Sequence, residues 1–449
     1  MDERRAAPAR GPGAQPPPLR WRQDDAWLAL AAPALIFLGH LLYGAMPPQT
    51  ALSMTVLAAI LLGIALSRRG LRKELTRLDG LALPAGLFAA VILVALWSLS
   101  PFVPGGAHPV WTYLKISPGA ASIDRSATLL ETIKLVGLAC VFVLGLLTGG
   151  SDARARLAVN TLLVLAAGLG AWAFLTFTTG TQPGGGDRME ASFLSANTAG
   201  TVFAASLVLA AGPAVSRLGG APGRRLGGGV LFGVAALLFL VCIFATASRG
   251  AFLAAFAGLL TMGLLMVFGR QLKWSRAVMT GGAAAAVVAV LLLVAGDFLL
   301  NRLMGGTHEF ASRAFILHVH WQAFLDSPLF GYGLGTFDTV NRLLLNAASF
   351  PKIWTVRAAH NIYLDWLEQG GLFAALPMFA CLGALMITTA RKAFRRSRMI
   401  PILFALLGLD VVFLVHGATD FALEMFSVAA MWAYLLGLQF SLAQGSSAR

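Results

Sequence analysis

Three arginines and one histidine in this chain have the type and setting to act on an anionic group: Arg188, Arg249, Arg313 and His360. Arg249 follows the end of an apolar run, Ala245-Thr246-Ala247-Ser248, and precedes Gly250, which opens the next one. Two apolar segments are thus joined with almost no loop, and the arginine between them must sit at a membrane face. Arg188 lies in the polar stretch Asp187-Arg188-Met189-Glu190 that leads to Asn197, where another apolar run begins. Arg313 opens an amphipathic stretch that continues through His318, His320 and Trp321. His360 stands in Ala359-His360-Asn361-Ile362-Tyr363-Leu364, with Asp365 and Glu368 in the first turns of the apolar run that follows. Ionisable residues at membrane depth are costly and mark function by default.

The chemistry follows from the groups. A guanidinium fork takes phosphate oxygens two at a time, so several arginines at one membrane face suit a lipid diphosphate whose tail lies in the bilayer. A diphosphate is a good leaving group once its charge is stabilised, which removes the need for a general acid. A neutral imidazole at the mouth of a span can take the proton of an incoming hydroxyl. Asn361 beside His360 could support it, and Glu368, eight residues along and so on a similar helix face, is an alternative base. No metal or other cofactor is expected. The stretch 101–128 has Asp124 as its only acid and no Asp-x-Asp or Glu-x-Asp pair, which argues against a divalent cation. His318 and His320 are two apart on a helix, so their side chains diverge and make no zinc site. Each residue alone has a plainer reading: a snorkelling arginine for Arg249, a solvated loop charge for Arg188, a structural histidine for His360. The combination favours function.

Composition says what must position these groups. Of 449 residues, 57% are hydrophobic and 12% charged, against about 45–50% and about 25% in soluble domains. That excludes a soluble enzyme, a disordered chain, a coiled coil and a disulfide scaffold; Cys140, Cys242 and Cys381 lie far apart in apolar segments. The net charge of +14 is spread over short runs between apolar segments, the orientation signal of a membrane protein, and not over a nucleic-acid-binding face. The expected fold is all-α: a polytopic membrane protein with about twelve spans and one large periplasmic loop containing short helices. The spans are expected at 26–46, 50–66, 81–100, 129–148, 157–178, 197–216, 228–247, 251–269, 277–296, 366–388, 399–418 and 423–443. The chain then divides into a disordered cytoplasmic tail (1–25), N-terminal transmembrane helices (26–178), a second region (179–443) that includes the periplasmic loop 297–365, and a short cytoplasmic tail (444–449). Basic runs at Arg68 to Arg77, Arg217 to Arg225, Arg270 to Arg276 and Arg391 to Arg398 hold their connections inside. Within the long loop, Ala314, Leu317, Trp321 and Phe324 form one apolar helical face that ends at Asp326-Ser327-Pro328, before a glycine-punctuated turn and a second short helix.

Arg188 through Asn197, Ser248-Arg249-Gly250, Arg313, the stretch Asp326-Ser327-Pro328-Leu329-Phe330-Gly331-Tyr332-Gly333-Leu334-Gly335-Thr336-Phe337, and His360-Asn361 occur in the order typical of the O-antigen ligase and polymerase superfamily. The chain resembles that superfamily from about Arg188 to Gly371. The resemblance implies a glycosyltransferase of the GT-C type in a bacterial inner membrane, with its active site facing the periplasm. Such enzymes move a glycan from undecaprenyl diphosphate to a sugar hydroxyl, with inversion and without metal. It further implies that the essential arginines and loop histidine fall on Arg249, Arg313 and His360, with Arg188 as an addition. The implied partners are membrane lipid, an undecaprenyl-diphosphate-linked glycan and an acceptor glycan. Lipid A core would make the protein a ligase, and another lipid-linked repeat unit would make it a polymerase; the shared pattern leaves both open. A transporter or flippase is the rival reading, though such proteins usually show two similar halves, and no half-to-half repeat is visible here. Asp410, His416, Asp420 and Glu424 have no assigned role; His416 and Asp420, four apart, could face each other on one helix. The topology has a direct test. A cysteine at Ser312 should react with an impermeant reagent added to intact cells, and labelling only after the inner membrane is breached would overturn the orientation.

Overall fold

The computed structural model describes residues 25–218, 222–271 and 307–445. The tail expected before residue 25, the span expected at 277–296, the start of the long loop at 297–306 and the last four residues of the C-terminal tail lie outside the described residues. The elements are α1 (Leu28–Leu41), α2 (Pro48–Ser67), α3 (Arg69–Leu75), α4 (Ala82–Trp97), α5 (Val110–Tyr113), α6 (Arg125–Gly149), α7 (Asp152–Thr178), α8 (Ala196–Leu218), α9 (Pro222–Thr246) and α10 (Arg249–Phe268). They continue with α11 (Thr307–Asp326), α12 (Phe337–Leu343), α13 (Phe350–Ile353), α14 (Ile362–Ala393), α15 (Ile400–Gly417) and α16 (Phe426–Gln444). Among the described residues the structure is helical throughout, and nine helices are long and apolar enough to cross a membrane. Two expected spans, α1 and α4, are shorter apolar helices. The protein is a multi-pass membrane protein.

Helices α8, α15 and α16 are the most enclosed of the nine. They are held by close backbone approach, the usual device where lipid supplies no hydrophobic drive. Gly145 and Gly149 of α6 and Gly437 of α16 meet the facing helix at its backbone, so that a Cβ on any of them would fall on a carbonyl oxygen of the partner. Gly258 of α10 and Gly408 of α15 do the same to each other. At mid-depth the fully buried Asp410 accepts from Trp432 Nε1 at 2.9 Å and from Gln439 Nε2 at 2.7 Å. This assigns Asp410 a role in locking α15 to α16.

The long loop is attached to the bundle through a break in α14. Gly371 has φ 58° and interrupts the helix. The carbonyls of Glu368 and Gln369, which would otherwise accept from residues 372 and 373, instead accept from Tyr332 N (3.0 Å) and Gly333 N (2.8 Å). The released amides of Leu372 and Phe373 donate to the Pro328 and Leu329 carbonyls at 2.8 and 3.1 Å. The glycine-punctuated turn is therefore a plug in an opened helical turn. Gly331, Gly333 and Gly335 have φ of 63°, 101° and 78°, values that side chains disfavour.

Helix α11 ends at Asp326 as expected, but its buried face differs from the expected one. Ile316, His320, Ala323 and Phe324 are buried, whereas Ala314 and Trp321 are exposed. The rotation has a polar cause: His320 Nδ1 lies 2.8 Å from Glu368 Oε1, and its Nε2 lies 3.3 Å from Asn341 Oδ1. Asn341 spends its amide on the carbonyls of Ile353 and Val356, so both histidine nitrogens have a partner inward. Arg313 also does not open this helix. Helix α11 starts at Thr307, and Arg313 lies almost two turns in, seven residues before His320 and on the same face.

The break in α14 makes a stability prediction. A Cβ at Gly371 would meet the Leu329 carbonyl oxygen, whereas Gly383, in the same helix, has open space. Gly371→Ala should cost at least about 1–2 kcal/mol from its positive φ alone and lower the melting temperature in detergent. Gly383→Ala should not. Equal melting temperatures would contradict the plugged-helix account.

Candidate functional site

The candidate site lies where three separate connections meet at one end of the bundle. The first is the α9–α10 hairpin. Thr246 closes α9, Ala247 turns with φ 47°, and Ser248 Oγ caps α10 by accepting from Ala251 N at 3.3 Å. Arg249 is thereby forced into the first turn of α10, as its sequence setting requires. The second is the α7–α8 connection, which docks on the hairpin through Met189 N to the Ala245 carbonyl at 3.0 Å. Arg188 completes the contact: its Nε donates to the Thr246 carbonyl at 2.7 Å and its Nη2 to Asn197 Oδ1 at 2.8 Å. The third is the turn after α15, whose Thr419 carbonyl accepts from Arg313 Nη1 at 3.2 Å.

Arg188, Arg249 and Arg313 line one cleft of about 220 Å³, together with Asn197, Ala247, Ser248, Gly250, Leu253, His416 and Thr419. Among the described residues the lining contains no carboxylate. An opening with three guanidinium groups and several hydroxyl and amide groups is suited to a small polyanion. Gly250 is required by shape: a Cβ there would lie 2.8 Å from both His416 Cδ2 and Thr419 Oγ1.

His360 stands beside this cleft and outside its lining. The 416–420 turn divides the two, with Thr419 facing the arginines and Asp420 facing His360. His360 Nδ1 is 3.8 Å from Asp420 Oδ1, and the ring sits edge-on to Phe421 with centroids 5.0 Å apart. Asp420 is 1% exposed and accepts from Asn197 Nδ2 at 3.2 Å. Burial alone would raise its carboxyl, but His360, His416 and the Asn197 bond outweigh burial and hold it below the usual carboxylate range.

The other sequence candidates have structural partners. Asn361 is the N-cap of α14, and its Oδ1 accepts from Tyr363 N and Leu364 N at 3.0 and 3.1 Å. Glu368, considered above as a support or alternative base, is fully buried against His320 and does not line the cleft. The expected contact between His416 and Asp420 gives way to other partners. Helix α15 stops at Gly417, so the four-residue helical spacing is lost, and His416 Nδ1 instead pairs with Thr201 Oγ1 of α8 at 2.5 Å. Among the described residues no group of three His, Cys, Asp or Glu side chains could hold a metal ion.

Comparison with known proteins finds a family similar to part of this site. Residues 234–379 match the family model described as O-Antigen ligase. Over those residues the chain is similar to the O-antigen ligase family. This agrees with the superfamily resemblance read from the motifs, and it supports glycan transfer of the ligase or polymerase kind in general. A search of curated proteins finds no match to the chain. The matched stretch contains Arg249, Arg313 and His360, whereas Arg188, Asn197, His416, Thr419 and Asp420 lie beyond its ends. The residues the motifs did not single out, His416 and Asp420, come from the 416–420 turn. The only sequence signal there was the pair of ionisable residues at the end of an apolar run.

The cleft should bind inorganic pyrophosphate, measured by calorimetry on the detergent-solubilised protein. Gly250→Ala should weaken that binding by pushing back His416 and Thr419. Gly233→Ala on α9, where a Cβ meets nothing within 4 Å, should leave it unchanged. Equal affinities in the two variants would dissociate the anion site from this cleft.

Proposed function

We propose that the protein transfers a glycan from undecaprenyl diphosphate to a sugar hydroxyl at the periplasmic face of a bacterial inner membrane, as O-antigen ligases do. The observation that carries the reading is the convergence of Arg188, Arg249 and Arg313 on one cleft. A lipid-borne donor is supported by the cleft's lower rim. Leu253 lines the cleft, and Leu253, Phe256 and Leu260 form an exposed apolar stripe along α10, at helical spacing, that a polyprenyl tail could follow.

On this reading the arginines hold the diphosphate and neutralise the charge that grows on it as the bond to the first sugar breaks. The acceptor oxygen attacks the anomeric carbon from the face opposite the diphosphate. The anomeric C–O bond breaks with its electron pair, undecaprenyl diphosphate departs, and configuration inverts. His360 takes the proton of the acceptor hydroxyl. Its backbone φ of 53° is a strained conformation for a side-chain-bearing residue, of the kind that clusters at functional sites. The arginines supply the countercharge, so the transfer needs no divalent cation. The acceptor is either lipid A core or another lipid-linked repeat unit, and an assay offering both separates ligase from polymerase.

The test is a paired measurement of donor affinity and single-turnover transfer in the presence of EDTA and without an ion gradient. Arg313→Ala should weaken donor binding by roughly 10–100-fold, the loss of a charged hydrogen bond of about 1.5–3 kcal/mol. Arg249→Lys should fail to restore full transfer, because a lysine cannot reproduce the fork. His360→Ala should slow turnover by about 10²–10⁴-fold with donor binding intact. Transfer that is lost in EDTA and returns with magnesium would refute the metal-free reading. A protein that moves the lipid-linked glycan across the membrane without consuming it would be a transporter instead.

A further inference from the structure

We propose that an apolar cavity inside the bundle holds the tail of the acceptor, and that the acceptor is a glycan carried on a single polyprenyl chain. The inference rests on the transfer proposed above and goes further by choosing between its two acceptors. The cavity has a volume of about 740 Å³ and is walled by α4, α6, α14, α15 and α16. It lies along the break in α14: Trp366 and Met378 line it on either side of Gly371, and no residue between them does. The cavity offers little to water. Tyr363 donates its hydroxyl to the Leu414 carbonyl at 2.7 Å, Trp432 Nε1 donates to Asp410 at 2.9 Å, and Cys381 Sγ donates to the Pro84 carbonyl at 3.3 Å. A buried water needs two to four polar partners, and an apolar cavity of about 150 Å³ stays dry and takes a benzene ring. This one is about five times that size. Left empty, it would forfeit the dispersion contacts of its whole wall, so its natural content is hydrocarbon.

Shape and position select the hydrocarbon. On α14 the lining runs from Ile362 to Ile387, about 37 Å of helix at 1.5 Å per residue, against roughly 30 Å for the hydrocarbon core of a bilayer. A slot drawn out in this way suits one long chain laid lengthwise, whereas the several acyl chains of lipid A need width. One end of the slot lies at the site. It is formed by Ile362 and Tyr363, just after His360, and by Leu423, just after the 416–420 turn. The arginine cleft shares no lining residue with the cavity, and α10, which carries the apolar stripe suited to the donor tail, contributes none of its wall. A chain in the cavity therefore brings its head to the His360 side of the 416–420 turn, across from the arginines. That is where the base must meet a hydroxyl, so the chain belongs to the acceptor. Lys134, Asp365 and Glu424 adjoin lining residues in sequence but do not line the cavity. The grip is thus on the tail, and the glycan is left free at His360.

Gly383 lines the cavity, and a Cβ there meets nothing within 4 Å, so Gly383→Trp places a ring in the space. Gly63 on α2 has equally open surroundings and lies outside the cavity, which makes Gly63→Trp the control. The full-length protein in detergent is given saturating donor and three acceptors: the polyprenyl-linked glycan, the same glycan without its tail, and lipid A core. Gly383→Trp should raise KM for the polyprenyl-linked acceptor by about 10–100-fold, the range that overfilling a packed apolar site produces. Donor affinity and the rate with the tail-less glycan should not change, and Gly63→Trp should alter nothing. Binding is read separately with a polyprenyl phosphate that carries a diazirine on its chain. Its label should fall on the 378–387 stretch, resist excess phosphatidylethanolamine and disappear in Gly383→Trp. Label displaced by the phospholipid marks a resident-lipid site, and label confined to α10 marks the donor tail alone; either overturns the proposal. An unchanged KM in a Gly383→Trp protein that has lost the label, or a raised KM for lipid A core, also overturns it and leaves the transfer reading intact. If the wild-type protein transfers glycan to none of the three acceptors, the transfer reading fails and the acceptor assignment falls with it.

Discussion

The site depends on one exchange of backbone hydrogen bonds, made where α14 opens at Gly371. The carbonyls of Glu368 and Gln369 take the amides of Tyr332 and Gly333, and the carbonyls of Pro328 and Leu329 take the amides of Leu372 and Phe373. In a region with little water, an opened helical turn is tolerated only if every freed group finds a new partner. The turn 328–335 supplies those partners, with glycines wherever a side chain would collide or the backbone must take a positive φ. Gln369 adds to the seal by accepting from the amides of Gly335 and Thr336. The segment 328–335 is thus anchored to a membrane-spanning helix by its own main chain.

From that anchor the order propagates to Arg313. Helix α11 runs into the plug at its C-terminal end, and His320 fixes its rotation by pairing with Glu368 one turn before the break. Arg313 and His320 share a face, so the rotation that buries the histidine also turns the arginine toward Thr419. Arg249 and Arg188 reach the same cleft by another route, a near loopless hairpin braced by the α7–α8 connection. The cleft is therefore assembled from three parts of the chain that are distant in sequence. Assembly also separates two tasks: the 416–420 turn offers Thr419 to the arginines and Asp420 to the histidine.

Much of the local structure was legible in the residues. The hairpin at Arg249 followed from two apolar runs with no room for a loop. The end of α11 at Asp326 followed from Asp326-Ser327-Pro328, and the N-cap at Asn361 lay at the expected mouth of a span. These are short-range effects of chain stiffness, capping and apolar length. The face of α11 was not legible. Trp321 is the more apolar residue, but a histidine with two buried polar partners displaced it from the interior, and those partners lie 21 and 48 residues away. The proposed pairing of His416 with Asp420 failed for a related reason. Their spacing suits a helix, yet the helix ends at Gly417 and Thr201 of α8 takes the imidazole.

The sequence by itself determined a helical multi-pass membrane protein, the order of its motifs and the places of its arginines and histidines. Those properties reside in composition, apolar run length and the chemistry of single side chains, which no packing arrangement can alter. Tertiary structure alone decided which charges share a cleft. Arg188, Arg249 and Arg313 are separated by 61 and 64 residues, and nothing in their spacing requires them to converge. It also decided that Glu368 supports α11 and that Asp420, to which the sequence assigned no role, faces His360. Such outcomes depend on which buried polar group finds which partner across helices, and helix packing settles that competition.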